Sequence, residues 1–145
     1  MKPKLFLGKL DDRKIAAAIA EAESHTSGQI RVFISSKDDV VDPLERAKAR
    51  FQALGMDRTR QRNAVLIYFA PHTHKFAVVG DTAIHERCGE DFWTKLIAVM
   101  REALKKEQFT EAVILAVETC GALLARHFPP TPGGGDELPN EVERD

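Results

Sequence analysis

Apolar residues recur along this chain with two periods. At helical spacing, Ile15, Ile19 and Ala22 form one stripe and Leu44, Ala47, Phe51 and Leu54 a second. Phe92, Leu96, Ile97, Met100 and Leu104 make a third, bordered by Trp93, and Val113, Ala116, Val117, Cys120 and Leu124 a fourth. Three stretches read as strands instead. Residues 29–35 place Ile30, Val32 and Ile34 on one face, while Phe33 interrupts the polar face and predicts cover on both sides of the sheet. Residues 64–69 are apolar almost without a break, as a central strand buried on both faces requires. Residues 75–80 follow the short polar link Pro71-His72-Thr73-His74 and are predicted to return antiparallel as a hairpin.

End signals frame these elements. Asp11 or Asp12 can cap the first helix, which Thr26, Ser27 and Gly28 terminate, with Gly28 suited to a left-handed turn. Asp42, Pro43 and Glu45 compose an N-cap, first helical position and capping box for the second helix, and Gly55 marks its end. Thr110 can cap the last helix. Strand, helix, strand at this spacing predicts a right-handed crossover between parallel strands. The expected class is therefore α/β, with a small mixed sheet, a parallel crossover and a β-hairpin. Residues 10–130 form the expected domain, after a lead at 1–9. From 131 the chain is rich in Pro, Gly and acids, a composition that buries little, so 131–145 is expected to be a disordered acidic tail.

Composition narrows the function classes. With 145 residues, 43% hydrophobic and 30% charged, the chain suits one globular domain, and its net charge of -1 argues against a dedicated nucleic-acid binder. Cys88 and Cys120 fall in helical stretches and read as buried thiols. The first residues hold only a short apolar run, too short for the core of a secretory signal. No run approaches the roughly 18 apolar residues of a membrane span. A cytoplasmic location without a transmembrane segment is the resulting expectation.

Several pieces, in order, resemble the TPM domain family: Thr26-Ser27-Gly28-Gln29-Ile30-Arg31-Val32, Leu54-Gly55-Met56 with Thr59, Arg62-Asn63-Ala64-Val65-Leu66-Ile67-Tyr68, and Val78-Val79-Gly80-Asp81 followed by Ile84. Trp93 and His127-Phe128-Pro129 complete the likeness, which spans about residues 10–130. The resemblance implies a three-layer α/β/α sandwich. For function it implies acid phosphatase activity, calcium binding or the upkeep of membrane protein complexes, with a protein partner such as a membrane-anchored relative.

Topology places the candidate residues at two poles. If strands 29–35 and 64–69 are parallel and 75–80 antiparallel, then Asn63, Asp81, Thr26 and Gly28 gather at one pole beside the loop 57–62. Asp81, Asn63 and Asp57 there could supply oxygens to calcium, although turn and cap chemistry accounts for the same residues. Arg58, Arg60 and Arg62 alternate, and on an extended segment would share one side and bind an anion or a partner's carboxylates. The other pole, where open α/β sheets usually bind ligands, offers Ser35, Ser36, Asp38, Asp39, His72 and His74. His72 with His74, and His85 with Cys88, are each short of the three or four ligands of a zinc site. No glycine-rich phosphate loop, nucleophile elbow or Cys-x-x-Cys pair is present. The reading that follows is a non-enzymatic binding or accessory module for a protein or membrane complex, with calcium as a candidate ligand. A weak metal-dependent acid phosphatase is the alternative.

Overall fold

The strand at Ala64–Ala70 is buried at every position, and the remaining elements are arranged to cover it. The computed structural model describes residues 10–105, 109–132 and 137–145. The expected lead at 1–9 lies outside the described residues, as does the side chain of Leu104. In chain order the elements are α1 (Asp12–Glu23), β1 (Gln29–Ile34), α2 (Pro43–Ala53), β2 (Ala64–Ala70), β3 (Lys75–Gly80), α3 (Thr82–Arg87), α4 (Gly89–Leu104), α5 (Phe109–Ala125) and β4 (Glu143–Arg144). Short 3-10 turns at Met56–Arg58 and Pro71–Thr73 precede β2 and β3.

The sheet has the order β3-β2-β1-β4. β1 and β2 are parallel, with Gln29 opposite Ala64 and Ile34 opposite Phe69. β2 and β3 form the expected antiparallel hairpin, with Val65 opposite Gly80. Side chains alternate between two cores, because successive residues of a strand point to opposite faces. Ile30, Val32, Ile34, Val65, Ile67 and Phe69 meet α1, α4 and α5. Phe33, Leu66 and Tyr68 meet Ala47 and Phe51 of α2, with the Phe33 and Tyr68 rings stacked at 5.5 Å. This is the three-layer α/β/α sandwich. Among the described residues no helix is long and apolar enough to cross a membrane.

The caps of α1 and α2 follow the sequence signals. Asp11 accepts from the Lys14 N–H at 3.2 Å, and Asp42 accepts from the Glu45 N–H at 3.2 Å. Thr110, by contrast, lies inside α5, which includes Phe109 before it, and its hydroxyl accepts from the Asp11 N–H at 3.0 Å. Gly55 adopts the left-handed region at φ 69°. Gly28 does not; its place is set by close packing, since a Cβ there would meet Leu124 Cδ1 at 2.9 Å and the Asn63 carbonyl oxygen at 3.4 Å. Leu44, expected on the buried stripe of α2, stands 43% exposed on the first turn, so the stripe begins at Ala47.

The largest departure is the acidic tail, expected to be disordered. Residues 137–145 run along the outer edge of β1 and end in β4, parallel to β1 with Glu143 opposite Phe33 and Arg144 opposite Ile34. Leu138 packs on the α2-side core and Val142 on the other. The anchors are charged and polar groups, which an argument from apolar content passes over: buried Arg31 pairs with Glu143, and Ser35 donates to Asp145 Oδ2 at 2.7 Å.

Ile67, wholly buried beneath three helices, should cost about 3 kcal/mol on substitution by alanine, through lost burial and the cavity left behind. Leu44→Ala should lie within about 0.5 kcal/mol of the parent. Urea unfolding followed by far-UV circular dichroism measures both.

Candidate functional site

The two strand registers bring residues 62–63, 27–28 and 81 to one pole, as topology requires. The backbone then locks them. The Gln29 N–H donates to the Asn63 carbonyl at 3.4 Å, the Asp81 N–H to the Ala64 carbonyl at 3.0 Å, and the Ala83 N–H to the Arg62 carbonyl at 3.0 Å. Asn63 is buried, and its Nδ2 donates to Ser27 Oγ at 3.2 Å. Its Oδ1 and the buried Thr59 hydroxyl have no hydrogen-bond partner among the described residues.

Asp81 is the centre of this pole. It is buried and serves as N-cap of α3, with Oδ1 accepting from the Thr82 N–H at 2.7 Å. Both carboxylate oxygens also face one guanidinium: Arg62 Nε donates to Oδ2 at 2.7 Å and Nη2 to Oδ1 at 2.8 Å. Hydrogen bonding to Asp81 and its charge, with a smaller contribution from Asp57, push the Arg62 pKa further above its ordinary value. The fork-to-fork geometry is the strong form of this pair. Arg62 reaches it from the left-handed region, at φ 52°. A side chain with a Cβ occupies that region at a cost of about 1–2 kcal/mol, so the surrounding bonds hold a strained residue in place.

This geometry changes the candidate set. Asp81, Asn63 and Asp57 do not form an oxygen cage, because the Asp81 carboxylate is turned to a cation of the chain itself. Among the described residues no group of three or more His, Cys, Asp or Glu side chains is placed to hold a metal. The three arginines do not share a side either, because residues 56–62 coil through a 3-10 turn and a second turn instead of extending. Arg58 points to solvent and Arg62 to Asp81. Arg60 binds Glu137 of the tail through its N–H at 3.0 Å and its Nε at 3.4 Å.

At the same pole lies a polar cleft of about 380 Å³, lined by Ser27, Gln29, Arg60, Gln61, Thr131 and Glu137 among others. Ser27 Oγ donates to Gln61 Oε1 at 3.3 Å, and Gln61 Nε2 to Thr131 Oγ1 at 3.1 Å. Gln29 Oε1 accepts from the Glu137 and Leu138 N–H groups at 3.0 and 3.2 Å. Gln29 and Gln61 were not singled out from the sequence; the signal available was amide side chains flanking the two parallel strands at one end. Glu23 was also missed. It falls four residues after Ile19, on the inward face of α1, and its Oε2 accepts from the Ile30 N–H at 2.7 Å.

At the opposite pole Asp38, Asp39, His72 and His74 are all exposed. Asp39 pairs with Arg46 at 3.3 Å, and His74 closes the hairpin from the left-handed region at φ 55°. The structured feature there is the tail: Asp145 accepts from the Ser35 hydroxyl at 2.7 Å and the Ser36 N–H at 2.7 Å. Burial opposes ionisation of Asp145. The hydrogen bonds from Ser35 and Ser36 and the Arg50 charge outweigh it and hold the carboxyl below its ordinary value. His85 stacks on Trp93, with ring centroids 5.0 Å apart. Cys88 and Cys120 are buried free thiols, and burial raises both pKa values, against which Arg87 acts at Cys88. Such thiols are inert.

The family model described as TPM domain matches residues 3–123. Among solved structures, the chain is similar to the BA42 protein from the psychrophilic bacterium Bizionia argentinensis, at 33% identity and TM-score 0.86, covering 94% of this chain and 96% of that one. It shares its fold with the N-terminal domain of the cg2496 protein from Corynebacterium glutamicum, at 20% identity and TM-score 0.63, covering 88% and 78%. No curated protein matches the chain.

Two outcomes test this geometry. Asp81→Ala should lose the α3 cap, worth about 1 kcal/mol, together with the guanidinium pair. Asp81→Asn should keep much of the cap, so urea midpoints should rank parent, Asn, Ala. The tail contact should respond to acid. A carboxyl whose folded pKa is depressed stabilises above its ordinary value, near 3.8, and loses that stabilisation as pH falls through the folded value. Amide exchange at Ser36 should therefore accelerate below that range, and Asp145→Asn should show the faster exchange already at neutral pH.

Proposed function

We propose, from the premise that this chain belongs to the TPM domain family, that it is a non-enzymatic binding module. It holds a protein partner within a membrane complex through the polar cleft at the Asp81 pole. One observation carries this reading: Asp81, the carboxylate of the family stretch, is bound by Arg62 and by the α3 N-terminus. A carboxylate so engaged is a poor base, nucleophile or metal ligand, each of which needs a lone pair directed at the reacting centre. It is a good brace for the loop that ends at Arg62, and the cleft lined by Arg60 and Gln61 of that loop offers donors and acceptors of both kinds. Arg60 is 73% exposed, and Ser27 and Gln61 stand beside it. Such a surface suits the polar face of another protein. A membrane-anchored relative of this chain is the partner that the family points to.

The test pairs a binding arm with a chemical arm. Tagged parent and Arg60→Glu proteins are used to capture partners from detergent-solubilised membranes. The same membrane-complex subunit should be recovered with the parent and fall by roughly tenfold with the variant, the change that about 1.4 kcal/mol of lost contact produces. Equal recovery by both proteins would remove the cleft from the reading. The chemical arm incubates the parent with an aryl phosphate at acidic and neutral pH with calcium, magnesium, manganese or zinc. No release above background is expected. Release that Asp81→Asn abolishes would replace this reading with a metal-dependent phosphomonoesterase. Calorimetric heat with millimolar calcium, lost in the same variant, would make the pole a cation site.

A further inference from the structure

We infer that the outer edge of β1 is a docking groove for an extended acidic segment of a partner protein, and that residues 137–145 fill it in cis. The groove runs the length of the strand. At one end Gln29 Oε1 takes two tail N–H groups. In the middle, Arg31 is buried in the sheet with its guanidinium directed at the tail, where Nη2 meets Glu143. At the other end, the Ser35 hydroxyl and the Ser36 N–H cradle the Asp145 carboxylate. Glu143 and Asp145 fall two residues apart on one face of an extended segment, and Val142 on the other face packs against the core. The groove thus reads an apolar residue, a glutamate, a cation, here Arg144 donating to Asp12 Oδ1 at 2.7 Å, and an aspartate.

Three features mark the tail as an exchangeable occupant. Its pairing with β1 is confined to Glu143 and Arg144, whereas β2 pairs with β1 over six residues. Displacing it would expose an edge strand, and such an edge pairs readily with another extended chain. Finally, Arg31 Nε has no hydrogen-bond partner among the described residues. A carboxylate seated on both Nε and Nη2 would satisfy the guanidinium better than Glu143 does. This groove meets the polar cleft at one end, where Gln29 and Glu137 belong to both. Its test reads Arg31, Glu143 and Asp145, none of which lines the cleft, and so stands whether or not that cleft binds a protein.

The probe is a fluorescent peptide copying residues 138–145, titrated into the full chain. In the parent the tail is present at high effective concentration and should hold binding weak. Glu143→Ala with Asp145→Ala frees the groove and should tighten peptide binding by roughly tenfold or more. Adding Arg31→Ala should abolish the gain, and a peptide with lysine in place of both acids should not bind. Equal affinity for parent and double variant, or none for the variant, would overturn the inference. Concentration-dependent dimers with exchanged tails would overturn the partner strand in favour of a second copy. Should the double variant fail to fold, hydrogen exchange on the parent decides. Amides of 143–145 should open well before those of β2, and exchange only with global unfolding would make the tail an integral strand.

Discussion

The fold rests on the burial of β2 on both faces. A strand reading Ala-Val-Leu-Ile-Tyr-Phe-Ala leaves no face for water, so it needs a helix layer above and another below. Its backbone N–H and C=O groups must be paired with strands on either side, because a buried unpaired group costs as much as a lost hydrogen bond. β1 and β3 meet that demand, one parallel and one antiparallel. The parallel partner must be reached by a crossover, which puts α2 on one face, while α1, α4 and α5 close the other.

The same arrangement explains why the pole near Asp81 is rigid. Three chain segments leave or enter the sheet there, and each would present unpaired backbone groups. Asn63, Thr26 and the Phe128 carbonyl absorb them: Phe128 O accepts from both the Thr26 hydroxyl and the Ser27 N–H, tying the end of α5 to the start of β1. Arg62 is held at positive φ with its carbonyl and its guanidinium both engaged. Strain of this kind persists only where the surroundings over-determine it. An acid that closes a helix cap and an ion pair at once holds both segments in place.

The tail shows how composition misleads. Its residues are mostly polar, and a stretch poor in apolar side chains and rich in acids is ordinarily left to solvent. What docks it is specific: a buried arginine needing an anion, a serine pair shaped for a carboxylate, and an open strand edge. Each is weak as a signal along the chain. Together they give a short strand its place.

The apolar periodicity determined the elements, their order, the hairpin and the parallel crossover, because burial of a repeating face is a local property written residue by residue. It also determined that Asn63 and Asp81 share a pole, since strand direction fixes where ends fall. Tertiary structure decided the partners. Arg62 was legible as a cation among three and Asp81 as a cap, but their pairing across 19 residues depends on a positive φ that no propensity marks. Arg31 read as a polar residue in a strand; only the sheet order made it the floor of an edge groove. The reason is physical: hydrophobic burial sums over a pattern, whereas an ion pair or a hydrogen bond depends on a few ångströms that only the assembled fold sets.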